Sequence, residues 1–286
     1  MRKGRRVFQG RRRVRIRTIV FYAVLGVFAV IWLLPVIFVI FTALKNPAQL
    51  ATSGGMFSFP HPLDWQNLAD AWSIGNIGLY MRNSVVITTI KVPAGIVVES
   101  LAAFAFARMR FRFSTPVFIF ILVGMVLPVQ AALIPLNSLL TQFNLLNNFA
   151  SLIVIYIGFG VPFGVLVLRG YFRTIPLELD EAALMDGCSY LGLYWRIIMP
   201  LAMPAIAALI IFDSLFTWNE FLLAQLFLTD GAMRTVSAGL LAFTSQYTTN
   251  YTLLNAGIVL TMLPVIGVYL VFQRYFVSGL AGAIKG

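Results

Sequence analysis

The sequence predicts an all-α membrane protein with six transmembrane helices. Hydrophobic residues make up 60% of the 286-residue chain and charged residues only 11%, whereas a water-soluble domain carries about 25% charged residues. Apolar stretches of about 20 residues, the length that a helix needs to cross a bilayer, recur along the chain. Basic residues are also distributed unevenly between the segments that join these stretches.

The first two spans are the simplest to place. Residues 18–44 contain no charge, and Pro35 is expected to kink this first helix. The external loop that follows is rich in Pro, Gly and Asn, with one short helix expected around Trp65 to Trp72. The second span, 84–107, contains the charged residues Lys91 and Glu99.

The later spans are separated by polar breaks. The long uncharged stretch after Phe113 is divided by the break Asn137 to Asn148 into spans at 116–135 and 150–168. The fifth span is expected at 201–223 and the sixth at 253–272. The intervening segment, Asp230 to Tyr251, is polar and predicts an external re-entrant or surface helix.

The distribution of Lys and Arg predicts the orientation in the membrane. Nine of the 21 basic residues fall within the first 17 residues, directly before the first span. With both termini in the cytoplasm, seventeen basic residues lie inside and three lie outside, as the positive-inside rule requires. The chain therefore divides into a basic cytoplasmic tail (1–17), a six-helix domain (18–273) and a cytoplasmic C-terminal tail (274–286).

Composition excludes several classes of function. Cys188 and His61 are the single Cys and single His of the chain, so neither a disulfide framework nor a His/Cys metal site is expected. There is no phosphate-binding G-x-x-x-x-G-K-[ST] loop and no nucleophile–base set, so the chain is not expected to be an enzyme. The net charge of +11 lies mostly in the N-terminal tail, which favours anionic lipid over nucleic acid as its partner.

A helix–glycine–helix segment, 174–200, stands out between the fourth and fifth spans, on the side predicted to be cytoplasmic. Pro176 suits the start of a helix, and Gly187 suits a left-handed helix end. Ser189 is expected to cap a second short helix that stops before Pro200. We call this segment the elbow, because such a unit presents a rigid knob to a soluble partner.

The elbow resembles the EAA loop of ABC-importer permeases, with Met199 where that family has Leu. The matching positions are Glu181, Ala182, Ala183, Gly187, Ile197 and Pro200. Asp186, the acidic residue of the turn, is expected to belong to the same coupling loop. In that family the loop docks on the ATP-hydrolysing subunit, which implies a coupling role here. The small Ala side chains would allow close approach, and the carboxylates would face basic or backbone donors of the partner.

Other stretches are similar to the carbohydrate-type permeases of the maltose and glycerol-phosphate importers, specifically to the second permease of such systems. They are Asn83-Ser84, residues 103–108, Pro128 with Pro135, Trp218-Asn219-Glu220-Phe221 and the glycine-rich ending 279–286. The resemblance implies a type I ABC-importer permease architecture in the cell inner membrane. It also implies alternating access driven by ATP on partner subunits, with no cofactor of the chain's own.

The implied partners are a second permease, two ATPase subunits and an external solute-binding protein. The alternatives within the class are importers of another solute, such as a polyamine or glycerol phosphate. A self-sufficient secondary transporter or channel, which would work without an ATPase, is the alternative from another class.

Polar residues inside the spans form a separate candidate site. Asp213, Thr217 and Glu220 lie on one stripe of the fifth helix, and Asn219 lies beside them. Three interpretations are open: an ion pair of Lys91 with Asp213 or Glu220 that locks two helices, a stripe that lines the translocation path, or a contact with a partner permease. Glu99 is about 12 Å along the helix from Lys91, so no direct pairing between them is expected.

Overall fold

The computed structural model describes residues 6–52, 55, 57–244 and 249–283, with side chains described between residues 16 and 273 of these ranges. The first residues of the basic tail, 1–5, and the last three of the glycine-rich ending, 284–286, lie outside the described residues. Helix continues into both predicted tails, because the first helix begins at Arg6 and the last ends at Ala283.

Every named element in the described part of the chain is a helix. In chain order the α-helices are α1 (Arg6–Ala43), α2 (Pro47–Leu50), α3 (Gln66–Ser73), α4 (Ile77–Arg108), α5 (Ser114–Val123), α6 (Val129–Gln142), α7 (Phe149–Phe172), α8 (Leu177–Met185), α9 (Tyr190–Leu193), α10 (Met199–Leu201), α11 (Met203–Asn219), α12 (Leu222–Phe227), α13 (Val236–Gly239) and α14 (Tyr251–Ala283). A π-helical turn, Tyr194–Ile198, joins α9 to α10, and 3₁₀ turns flank α13 at Gly231–Met233 and Leu240–Phe243. The predicted all-α fold is confirmed.

Four helices contain a continuous apolar segment long enough to cross a membrane. These segments are Ile16–Ala43, Ile77–Arg108, Phe149–Phe172 and Tyr251–Gln273. A fifth candidate is a bent pair of helices, Tyr190–Leu201 and Met203–Asn219, which meet at 78°. The short helix expected around Trp65 is α3, and it is tied to the end of α1 because the Asn67 amide donates to the carbonyls of Ala43 and Lys45 at 3.0 and 2.7 Å.

The expected third span, 116–135, is not one helix in the structure. α5 ends at Val123, and α6 starts only after Pro128, which has an extended backbone. Proline has no N–H for the helix ladder and disfavours helix in the residue before it, so the chain turns here. The expected break, Asn137 to Asn148, is present but begins later than expected, because Asn137 lies within α6 and this helix ends at Gln142.

α4 is the central helix of the bundle, packed against α7 and α11. One apolar cluster fills the end of this bundle nearest the elbow, and it includes Val165, Leu168 and Leu209. Two further clusters fill the opposite end, around Tyr156 and around Trp218. The polar residues of α4 and α11 therefore lie between apolar layers.

Where the structure describes the segment 230–251, its middle part packs against α4, whereas Asp230, Leu241 and Tyr251 are exposed. Val236 and Ala238 are buried. The Asn83 amide of α4 donates to the carbonyls of Ala232 and Arg234, both at 2.9 Å. These contacts satisfy the irregular backbone, which a lipid-exposed loop could not do at membrane depth.

Candidate functional site

The turn of the elbow is closed by its own backbone. Gly187 has φ +79°, the left-handed conformation expected from the sequence. Its N–H donates to the Leu184 carbonyl, and the Cys188 N–H donates to the Ala183 carbonyl, both at 3.0 Å. This pair of bonds is the Schellman arrangement, which satisfies the free carbonyls at the end of α8. The reversal of direction is therefore fixed.

An ion pair anchors the first helix of the elbow to α4. Arg108 Nε, at the end of α4, lies 2.8 Å from Asp180 Oδ2 of α8, and both side chains are largely shielded from solvent. Arg108 Nη2 also donates to the Ile175 carbonyl at 2.8 Å. Burial raises the pKa of Asp180; the Arg108 charge opposes this shift and the Glu181 charge adds to it. The first helix of the elbow is therefore attached to the end of α4.

The second helix of the elbow continues past Pro200, contrary to the expectation that it stops before this residue. Ser189 caps it as expected, since its hydroxyl accepts from the Gly192 N–H. The helix then widens into the π-turn, where the Met199 N–H donates to the Tyr194 carbonyl. The wider turn lets the helix pass Pro200, which has no N–H to donate. The 78° bend follows at Ala202, so the elbow leads directly into α11.

The inner face of the elbow belongs to the protein's own core. Leu193, Tyr194 and Ile198 are fully buried. The Tyr194 hydroxyl also lies 2.6 Å from the Ser100 hydroxyl of α4. These contacts, together with the Arg108–Asp180 pair, hold both helices of the elbow on the bundle.

The outer face of the elbow carries most of the residues singled out from the sequence. Those exposed are Glu181, Ala182, Asp186, Gly187 and Pro200, whereas Ala183 is buried and Ile197 packs against the core. Sequence reasoning missed the large apolar side chains on the same face. Met185 at the turn is 87% exposed and Leu191 is 61% exposed. Exposed apolar groups of this size, rimmed by charge, are typical of a protein-binding surface.

Of the three interpretations drawn from the sequence, the structure contains the ion pair of Lys91 with Asp213. Lys91 Nζ of α4 lies 2.7 Å from Asp213 Oδ2 of α11, and both side chains are almost fully buried. Removing one partner of a buried ion pair typically lowers the free energy of unfolding of a protein by about 3–5 kcal/mol. The pair therefore ties α11, and through it the elbow, to the central helix.

Glu99 lies much closer to this pair than its axial distance from Lys91 suggested. A Cβ placed on Gly160 of α7 would lie 3.2 Å from Glu99 Oε1 and 3.3 Å from Lys91 Nζ. The described residues include no ion pair between Glu99 and Lys91. The two side chains nevertheless converge, because each leans towards a groove that the glycines of α7 leave open.

The remaining polar residues of the stripe do not join this cluster. Glu220 accepts hydrogen bonds from the Tyr156 hydroxyl and from the N–H groups of Leu223 and Ala224, so it caps α12. Asn219 is exposed and donates to the carbonyl of Leu215. Thr217, which lies on α11 itself, is buried. Within the described part of the chain, no group of three or more His, Cys, Asp or Glu could hold a metal ion.

Asp180 and Ser100 make contacts that hold the elbow on α4, and the sequence did not reveal either contact. An acidic residue in a first helical turn is a recognisable stabilising feature, so Asp180 could have been flagged as part of the start of α8. Nothing local identifies its partner, Arg108, or pairs Ser100 with Tyr194. Such long-range partners depend on how the helices pack.

Comparisons with known proteins agree with this architecture. A family model described as "Binding-protein-dependent transport system inner membrane component" matches residues 91–282. The diacetylchitobiose uptake system permease protein of Streptomyces coelicolor is 34% identical over 255 residues, or 88% of this chain and 84% of that protein. The melibiose/raffinose/stachyose import permease protein of Bacillus subtilis is 30% identical, over 88% and 91% of the two chains.

A solved structure also matches over nearly the full length. It is a bacterial ABC transporter involved in the import of the acidic polysaccharide alginate, with a TM-score of 0.79 and 25% identity, over 92% of this chain and 97% of that chain. The family model covers well over half of the chain, including the ion-paired helices and the elbow. The chain therefore belongs to the family of inner membrane components of binding-protein-dependent transport systems, the ABC-transporter permeases.

Proposed function

We propose that the chain is the permease subunit of an ABC importer that carries a carbohydrate, or a related polyol or sugar derivative, into the cell. Substrate would cross by alternating access, driven by ATP hydrolysis on separate subunits. The observation that carries the proposal is the elbow: a fixed turn with an exposed outer face, joined to α11 through a single bend at Ala202. A partner that moves the elbow therefore moves a membrane helix and its buried ion pair.

The proposed ATPase contact is the outer face of the elbow. Glu181 and Asp186 supply negative charge there, and Met185 supplies an apolar contact at the turn. Since these side chains are exposed, they contribute little to the packing of the chain. Two ATPase subunits would engage two such elbows, one from each permease of a pair.

The second permease would cover the apolar surface of α1. In the single chain, the most apolar part of Ile16–Ala43 is not buried at all. Only the C-terminal end of α1 is held, by the hydrogen bond from Asn67 of α3 to the Ala43 carbonyl. Lipid can cover part of this surface, and a similar permease would cover the rest. A heterodimer would place the pathway between the two subunits. The family description adds an external solute-binding protein to the proposed complex.

The proposed orientation places the elbow and both termini in the cytoplasm, in keeping with the positive charge of the N-terminal tail. The basic residues of 1–17 would then face anionic lipid. Labelling of Cys188 in sealed cells tests this orientation, because this half-buried side chain sits in the turn of the elbow. Reaction with a membrane-impermeant reagent from outside would overturn the proposed ATPase contact.

The ATPase contact is tested by Met185→Glu and Glu181→Lys. Both variants should insert normally but lose copurification of the ATPase and ATP-driven uptake in vesicles. Phe143→Glu is the control for Met185→Glu, since Phe143 is also apolar and largely exposed but lies at the opposite end of the bundle. Normal uptake by the two elbow variants, or uptake without any ATPase, would contradict the proposal. The solute class is tested separately, by sugar binding to the partner solute-binding protein.

A further inference from the structure

The buried charges between α4, α7 and α11 do not balance. Lys91 and Glu99 are fully buried and Asp213 is 3% exposed, so one ammonium group faces two carboxyl groups. Lys91 is already paired with Asp213 at 2.7 Å. Neither carboxyl oxygen of Glu99 has a hydrogen-bond partner among the described residues. An ionised Glu99 would therefore be a buried charge without a counter-ion, which is strongly unfavourable.

The surroundings of Glu99 leave room for only a very small ligand. A Cβ on Gly164 would lie 2.0 Å from Glu99 Oε2, so the carboxyl group is pressed against the backbone of α7. The charged groups that face it are Asp213 on α11 and Lys91 on its own helix, and α7 contributes glycines to the contact. A hydrated metal ion does not fit such a contact, but a proton does.

We propose that Glu99 is a binding site for one proton and that it is the reserve counter-ion of Lys91. In the conformation described here, Glu99 is neutral and Asp213 is ionised. Lys91 Nζ and Glu99 Oε1 lie 3.3 and 3.2 Å from the same point, the Cβ position of Gly160. A small side-chain movement therefore brings Lys91 to Glu99 in place of Asp213.

The exchange conserves both charge and protons. When α11 carries Asp213 away from α4, the proton of Glu99 passes to Asp213 and the Lys91 ammonium pairs with the Glu99 carboxylate. One cation, one anion and one neutral carboxyl group are present before and after. No buried charge is left without a partner, whether α11 lies against α4 or has moved away from it. The neutrality of Glu99 is independent of the transport proposal, whereas the movement of α11 rests on it.

Infrared spectroscopy of the purified protein, assembled with its partner subunits, tests the proton directly. The wild type should show the carbonyl stretching band of a buried, protonated carboxylic acid. Glu99→Gln should lose this band while keeping the wild-type amount of folded protein, because Gln resembles the neutral acid in shape. A spectrum unchanged by Glu99→Gln, or a Glu99→Gln protein that fails to fold, would overturn the proposal.

Removal of the Asp213 carboxylate tests whether Lys91 can pair with Glu99 instead. This test does not require ATP hydrolysis. Asp213→Asn should accumulate and fold, because Lys91 then pairs with Glu99, and its acid band should disappear as Glu99 ionises. The double variant Asp213→Asn/Glu99→Gln leaves Lys91 without a counter-ion. It should give about tenfold less folded protein than Asp213→Asn. Equal loss in the single and double variants, or persistence of the band in Asp213→Asn, would contradict the proposed role of Glu99. A variant that folds and shows the expected infrared change but loses uptake would support the proposed role of Glu99 and would concern only the proposed transport function.

Discussion

The Lys91 ammonium and the Asp213 carboxylate meet at 2.7 Å across the interface between α4 and α11, within a layer closed to solvent. α11 is joined to the elbow through a single 78° bend, and α4 carries the Arg108 that holds the elbow's first helix. The same two helices are thus connected twice, once at the elbow and once at mid-bundle. Displacement of the elbow must act on both connections.

Exchange of the two charges should preserve the pair. Lys91→Glu alone leaves three buried acidic groups and no cation, and we expect a loss of stability of about 3–5 kcal/mol. Adding Asp213→Lys restores one cation between the helices and should recover most of that loss. Thermal unfolding in detergent measures both. A double variant as unstable as Lys91→Glu would show that the pair does not stabilise this interface.

The contact between Glu99 and α7 predicts opposite results at two glycines of one helix. Gly164→Ala places a Cβ 2.0 Å from the Glu99 carboxyl group and should destabilise the protein by about 1–3 kcal/mol. Gly158→Ala is the control, because nothing lies within 4 Å of its Cβ position. It should be neutral, or stabilising by up to about 1 kcal/mol. Combining Gly164→Ala with Glu99→Ala removes the clash, and failure of this pair to recover would rule out the contact.

The left-handed turn of the elbow predicts a requirement for backbone conformation rather than for space. Gly187 has φ +79° and nothing within 4 Å of its Cβ position. A β-branched residue in this conformation costs about 1–2 kcal/mol, so Gly187→Val should loosen the turn and lower the uptake per ATP hydrolysed. Gly187→Asn should retain coupling, because Asn tolerates the conformation. Equal coupling in both variants would show that the turn geometry is not needed.

The burial of Asp180 predicts a pH-dependent contribution to stability. Because burial raises its pKa in the folded state, despite the opposing Arg108 charge, the folded protein binds a proton here more readily than the unfolded chain. The contribution of Asp180 to the free energy of unfolding is therefore greatest at acidic pH, and it declines as the pH rises through the raised pKa. The wild type should gain stability over Asp180→Asn on acidification. An unfolding difference independent of pH would contradict this prediction.

The elbow was largely predictable because its signals are local. A glycine at a helix end and a serine at the next helix start specify conformations within a few residues of themselves. Gly187 and Ser189 adopt the expected geometry. The passage through Pro200 was not predictable, because the π-turn that accommodates it depends on the burial of Tyr194 and Ile198 against α4 and its neighbours.

The broken third span shows the same limit. Hydropathy measures only how apolar a stretch is, and residues 116–135 are apolar apart from Gln130. The interruption comes from a turn before Pro128, a backbone effect that an average over residue types does not contain. The packing of the middle of segment 230–251 was not predictable either, because its backbone carbonyls at Ala232 and Arg234 accept from the Asn83 amide of α4, a long-range contact.

The sequence by itself determined the all-α membrane fold, the position of the elbow and the depth at which the buried charges lie, because these follow from composition and from the fixed rise of a helix. Only the tertiary structure decided that Lys91 pairs with Asp213, that Glu220 caps a helix instead, and that Glu99 lies beside the pair. The physical reason is that depth along a helix can be counted from residues. The direction in which a long side chain turns depends on the space that neighbouring helices leave.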